Sequence, residues 1–331
     1  MSTQRFSAMR RSALMLAGAG MLYAAMGPAL ASDYPNRPIS LIVSAAPGGT
    51  TDIAARMIAE PLGKALNQTV VVDNKPGAAG TIAAQSVLRS SADGYTLLLQ
   101  YSGYQVITPH VQSNVDFDPV NDFYPVANVL SAPQVIVVRP GLPINSLKEL
   151  VSYAKANPGK LNYASSGNGS LQHMATELLN QMAEIDTVHI PYKGTGPALT
   201  DLLGGSVDMT ITTPPPLLPH IQAGKLRALA VTGDKRLESL PDVPTVAEAG
   251  FPDLVISSWF AMYAPKDTPK PAVEKLAGEI EKIMKTDAYR EKASSLGAEA
   301  DFKGPDALRA YTQEELDRWG KVVKSANITA Q

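Results

Sequence analysis

The sequence predicts an α/β protein of two domains, on three observations. Short β-branched runs alternate with amphipathic stretches, the pattern of strands joined by crossover helices. The alternation comes in two series separated by an acidic segment. A chain of 331 residues is also longer than one hydrophobic core usually organises.

In the first series Ile39–Val43 reads as a strand and Asp52–Leu66 as a helix, which Pro61 should kink or cut in two. Thr69–Val72, Thr81–Leu88 and Thr96–Gln100 continue as strand, helix and strand. The runs Val70–Val72 and Leu97–Leu99 are unbroken, as in parallel strands covered on both faces. After the acidic stretch Asp116–Asp122 come a strand Gln134–Val138, a helix Ser146–Ala156, a strand Leu161–Ala164 and a helix Leu171–Ala183. A strand Thr187–Ile190, a helix Pro197–Leu203 and strands Asp208–Thr212 and Ala228–Thr232 close the series. The Pro- and Gly-rich stretch Ser239–Pro252 reads as a linker, and Ile256–Tyr263 as a return strand.

Three helices end the chain. Pro271–Lys285 puts Val273, Leu276, Ile280 and Ile283 on one stripe; Asp287 is the expected cap of a helix stopping at Gly297; Pro305 opens a third. They are too few for a core of their own, so the expected domains are 32–131 with 254–331, and 132–253.

Composition narrows function. Lys+Arg 29 against Asp+Glu 31 gives a net charge of −2, which supplies no field for nucleic acid or an anionic membrane. Cys is 0, which removes thiolate catalysis, Cys-ligated metals and disulfides. Residues 1–31 have the order of a secretory signal peptide: Arg5, Arg10 and Arg11, an apolar run Ser12–Met26, then Ala29-Leu30-Ala31. Cleavage is expected after Ala31. The mature chain then keeps 26 basic and 31 acidic residues, net −5, in the periplasm, as a monomer with no direct membrane insertion.

The chemistry-bearing features are four Gly/Ser/Thr turns between a strand and a helix: residues 46–52, 74–81, 165–170 and 193–196. In open α/β sheets such turns line the crevice at the carboxyl ends of the strands. There, free helix N–H groups and the macrodipole favour an anion by ~0.3–1 kcal/mol per helix. Four converging ends could hold a carboxylate without arginine. The ligand-binding candidates are Pro47, Gly48, Gly49, Thr50, Thr51, Gly80, Ser165, Ser166, Gly167, Asn168 and Ser170 from the turns, with Tyr101 and Ser102 at the end of the third strand. Two placements stand for Tyr101 and Tyr104: sandwiching a planar or apolar ligand body, or packing outside the cleft. Two also stand for Lys193, pairing with a distal carboxylate or lying solvated.

These segments carry a resemblance. Tyr34-Pro-x-Arg-Pro-Ile39, Ala46-Pro-Gly-Gly49, Asp73-Asn-Lys-Pro-Gly-Ala-Ala-Gly80, Asn157-Pro-Gly-Lys-Leu-Asn-Tyr163, Ser166-Gly-Asn-Gly-Ser170, His189-Ile-Pro-Tyr-Lys-Gly194, Asp201-Leu-Leu-Gly-Gly205 and Leu240-Pro-Asp-Val-Pro-Thr245 together resemble the Bug-type receptors of tripartite tricarboxylate transporters. The resemblance implies a two-domain, periplasmic-binding-protein-like (Venus flytrap) fold with two crossover strands, closing on a small organic carboxylate for delivery to a membrane permease. It also implies that backbone N–H groups and ordered water hold the proximal carboxylate at Pro47–Thr51 and Ser165–Ser170. Where many members read Phe-Asp-Asn, this sequence has Ile211-Thr212-Thr213. Thr212 therefore joins the candidates, and an amino-acid substrate loses its counter-ion. The expected ligand is an aromatic dicarboxylate of the terephthalate kind, with a citrate-like or aliphatic dicarboxylate next.

No cofactor is expected. His110, His173, His189 and His220 lack metal-ligand spacing, so no metal is expected either. Asp52 is read as helix support, Asp208 has no clear role, and Asp116–Asp122 and Glu314–Asp317 are read as solvated. Ser170 and His173 suggest a secreted serine-type hydrolase, but no Gly-x-Ser-x-Gly elbow accompanies them. That reading, and a ligand-sensing receptor partnering a sensor kinase, are the alternatives.

Overall fold

Two five-stranded sheets organise the residues that the computed structural model describes, 34–113 and 115–325. The expected signal peptide and its cleavage point after Ala31 lie outside them. The elements of the first sheet's opening half are β1 (Ile39–Val43), α1 (Thr50–Leu66), β2 (Val70–Asn74), α2 (Thr81–Leu88), β3 (Thr96–Tyr101), α3 (Thr108–Val111) and β4 (Phe123–Pro133). Next come β5 (Val135–Val138), α4 (Leu147–Ala156), β6 (Asn162–Ser165), α5 (Leu171–Ala183), β7 (Val188–Pro191), α6 (Thr195–Gly204), β8 (Met209–Thr212), α7 (Leu218–Gln222) and β9 (Arg227–Val231). The chain ends with β10 (Ser257–Pro265), α8 (Lys270–Met284), α9 (Asp287–Ser295) and α10 (Pro305–Ser325).

The sheet orders are β2-β1-β3-β10-β4 and β7-β6-β8-β5-β9. β1 pairs in parallel with β2 and β3, and β6 with β7 and β8, as the alternation predicts. β10 runs antiparallel to both neighbours, as does β5, so each sheet is mixed rather than parallel. The reason is connectivity. The chain leaves the first sheet along β4, passes Gln134 into β5, and returns along β10. Thr232 and Ser258 tie these crossings together: the Gln134 backbone N–H donates to Thr232 Oγ1 (2.8 Å) and its side-chain amide to Ser258 Oγ (2.8 Å).

Other expectations need correction. α1 runs unbroken through Pro61; buried Ile58 and Leu62 anchor it on both sides, and the Met57 carbonyl that Pro61 cannot serve lies on a half-exposed flank where water can satisfy it. β2 is not covered on both faces but forms a sheet edge, with Val71 49% exposed. Thr286, not Asp287, caps α9, its hydroxyl accepting the Tyr289 N–H. Glu315, read as solvated, is buried against Arg318 and the Trp319 indole N–H. The core is filled by Leu97–Leu99, Phe123, Trp259 and Tyr263, all essentially inaccessible; each contributes about 1.5–3 kcal/mol.

Candidate functional site

The parallel strands of both sheets deliver their carboxyl ends to one place. β1 runs into the turn before α1, and β6, β7 and β8 run into the turns that follow them. The turns touch. Ala46 N–H donates to the Lys193 carbonyl (3.3 Å), and the Thr50 and Thr213 hydroxyls meet at 2.6 Å. A Cβ on Gly196 would lie 2.2 Å from the Pro47 carbonyl oxygen, and one on Gly194 3.0 Å from the Ala46 nitrogen. Only glycine allows backbones this close.

Two helices begin at this contact with glycine caps. Gly49 precedes α1 and Gly194 precedes α6, and neither cap supplies a side-chain acceptor to its first turn. Both N-termini therefore offer amide donors and the positive end of a dipole to the same space. One nearby donor is already engaged: Gly48 N–H donates to Asp52 Oδ2 (3.1 Å), and buried Asp52 pairs with Arg56 at 3.0 Å.

Ala45, Gly49, Thr50, Thr51, Tyr101, Tyr104, Ser166, Gln172, Gly194, Thr195, Thr213, Ser258 and Phe260 enclose an inner cavity of about 10 Å³, room for a single water. No charged side chain lines it. Gln172 organises the wall. Its Oε1 accepts from Tyr101 OH (3.1 Å) and Ser166 Oγ (2.8 Å), and its Nε2 donates to Thr212 Oγ1 (3.2 Å). Tyr104 OH donates to the Ser166 carbonyl at 2.5 Å. The rings of Tyr101 and Tyr104 meet edge-on at 4.4 Å, and Phe260 stacks on Tyr101 at 6.2 Å. Burial pushes the Tyr104 hydroxyl up to about 12 and the Tyr101 hydroxyl well above its ordinary value, so both stay protonated donors.

Of the residues picked from sequence, Gly49, Thr50, Thr51, Tyr101 and Ser166 line the inner cavity, and Pro47 and Gly48 form the turn behind it. Gly80 lies under the Tyr104 ring, where a Cβ would be 2.6 Å from Cδ2. The Ser102 hydroxyl points elsewhere, accepting Trp259 N–H (3.3 Å), and Thr212 sits behind Gln172. Gly167, Asn168 and exposed Lys193 border a separate outer cavity. Ser165 Oγ bonds His189 Nε2 at 2.6 Å, and Ser170 caps α5. Asp208 is structural, accepting Asn162 N–H and Arg139 Nε–H. Gln172, Thr195, Thr213, Ser258 and Phe260 escaped sequence reasoning. Thr195 and Thr213 lay inside segments already singled out; nothing local marks the other three.

Two Ser–His pairs adjoin the turn after β6. Ser170 Oγ accepts the His173 backbone N–H, while the His173 imidazole accepts Gly169 N–H through Nδ1 (3.2 Å). The Ser165–His189 pair fares no better: burial and neighbouring His173, stacked at 4.2 Å, push His189 down to about 3, a poor general base at neutral pH. Among the described residues no group of three or more His, Cys, Asp or Glu is placed to hold a metal ion, and no helix is long and apolar enough to cross a membrane.

Residues 54–328 match the tripartite tricarboxylate transporter family receptor. BugT of Bordetella pertussis (strain Tohama I) is 39% identical over 314 residues, covering 94% of this chain and 96% of BugT. An R. palustris protein solved with adipate is 37% identical, with a TM-score of 0.88 over 90% of this chain and 100% of that one. MatC of Rhodopseudomonas palustris, solved with bound malate, is 33% identical, with a TM-score of 0.84 over 88% of this chain and 100% of MatC.

Proposed function

The chain belongs to the receptor family of tripartite tricarboxylate transporters, and on that premise we propose that it is a periplasmic receptor whose cleft captures an organic dicarboxylate and delivers it to a membrane permease. The observation that carries this reading is the pair of glycine-capped N-termini, α1 and α6, facing one uncharged cavity. A carboxylate there fills otherwise unserved amide donors and meets both helix dipoles. A cation would meet no counter-ion. The site residues are Gly49, Thr50, Thr51, Ser166, Gln172, Thr195 and Thr213 for the proximal carboxylate, with Tyr101, Tyr104 and Phe260 against the ligand body.

Two lobes move in this proposal: residues 32–131 with 254–331, and residues 132–253, the first 31 residues being removed on export. The lobes part around Gln134 and the Thr232–Ser258 crossing, because a cavity of about 10 Å³ admits no organic acid without opening. The aromatic wall favours a ligand with an apolar middle. Terephthalate is the aromatic member of that class and adipate the aliphatic one.

The test is a thermal-shift and calorimetric panel of adipate, malate, citrate and terephthalate, with the diamide of each diacid as control. A binder present at 100 times its Kd stabilises the fold by ~2.7 kcal/mol. Stabilisation by diacids and none by diamides is expected. Equal binding of acids and amides, or binding of neither, overturns the reading.

A further inference from the structure

Two cavities share a wall here. Tyr104 and Ser166 line both the inner cavity and an outer one of about 270 Å³, bounded otherwise by Gly77–Ala79, Gln112, Gly167, Asn168 and the segment 191–193. The outer volume approaches the lower end of small-molecule sites, roughly 300 Å³, whereas the inner holds one water. Their electrostatics also differ. The inner lining is neutral, and the outer contains one charged side chain, Lys193. Among the described residues Lys193 has no carboxylate partner. The partition between the two is slender: the Tyr104 ring, tied to the Ser166 carbonyl by one hydrogen bond and lying over Gly80, where no Cβ would fit.

We propose that the outer cavity is the seat of the distal carboxylate of an elongated dicarboxylate, which pairs there with the Lys193 ammonium while the ligand's chain passes the Tyr104 ring. This rests on the carboxylate reading of the inner cavity and adds a substrate class to it: diacids long enough to reach from the glycine-capped amides to Lys193. It also explains how an uncharged inner site serves a dianion. One charge meets dipoles, the other a full cation, and the two negative ends stay in separate compartments.

Calorimetry on the mature receptor tests it with adipate, monomethyl adipate and the variants Lys193→Gln and Lys193→Arg. Lys193 is exposed, so its pairing should be worth about fivefold in affinity, the upper end for an exposed ion pair. The expected result is a fivefold loss of adipate binding in Lys193→Gln, unchanged binding of the monomethyl ester, and recovery in Lys193→Arg. If adipate is unaffected, or both ligands weaken equally, the outer seat is refuted and the inner reading stands. If the wild-type receptor binds neither ligand, the outer seat is refuted, and the malate, citrate and terephthalate arms of the panel decide the inner reading. A crystal structure of the adipate complex with both carboxylates inside the inner wall would likewise overturn the proposal.

Discussion

Replacing Gly196 by alanine should separate cleft closure from folding, because the two respond in opposite directions. The new Cβ would start 2.2 Å from the Pro47 carbonyl oxygen and would have to retreat to at least 3.0 Å. Both sides of that contact are backbone, so relief comes from moving the two turns apart, which opens the cleft. Overpacking of this kind costs about 1–3 kcal/mol, equivalent to about a 5- to 150-fold loss of affinity for a ligand that requires closure. The same substitution lies in the first turn of α6, where exchanging glycine for alanine favours the helix by up to about 1 kcal/mol. Calorimetry with the tightest organic acid should therefore show weakened binding, while urea unfolding without ligand shows stability held or raised. Gly204→Ala, at the far end of α6 where a Cβ meets nothing within 4 Å, is the control and should bind as wild type. Wild-type affinity in Gly196→Ala would mean that the turns do not meet in the bound state, and the closure argument would fail.

Other outcomes follow from the same geometry. Ser170→Ala removes the α5 cap and should cost ~1 kcal/mol in denaturant unfolding with no effect on ester turnover; a hydrolase activity abolished by this substitution would restore the catalytic reading. Burial holds the His173 imidazole down to about 4, so the folded state keeps it neutral while the unfolded chain takes up a proton below about 6.5. Stability should thus be level above about pH 6.5 and fall on acidification toward 4, by about 2 kcal/mol between pH 7 and pH 5 from His173. His189, held down to about 3, adds a change of the same sign. Unfolding free energies at the two pH values, in wild type and His173→Gln, check this; an equal slope in both would remove His173 from the account.

Much of the scaffold can be read from residue order. β1 and α2 begin and end as the residue pattern reads: β1 is an apolar run buried at four of its five positions, and α2 buries Ala83, Ala84 and Val87 at helical spacing. The glycine turns are legible for a similar reason: Gly48 and Gly194 hold positive φ, at +84° and +129°, and glycine takes up that conformation most readily. The local pattern marks no strand at β4 and gives no direction for β5 or β10, because strand direction is set by the crossing between sheets rather than by any local pattern.

Local chemistry points to where an anion would be met: at helix starts whose caps are glycine, in a chain with no cysteine and little net charge. It did not establish which groups would meet there. Gln172 reads as an ordinary polar residue of an amphipathic helix, Phe260 as core, and Ser258 as the start of a strand. They become cavity wall only because two sheets, joined by two crossings, bring their strand ends into contact. Long-range proximity of that kind comes from packing between elements distant in sequence, and no local periodicity encodes it.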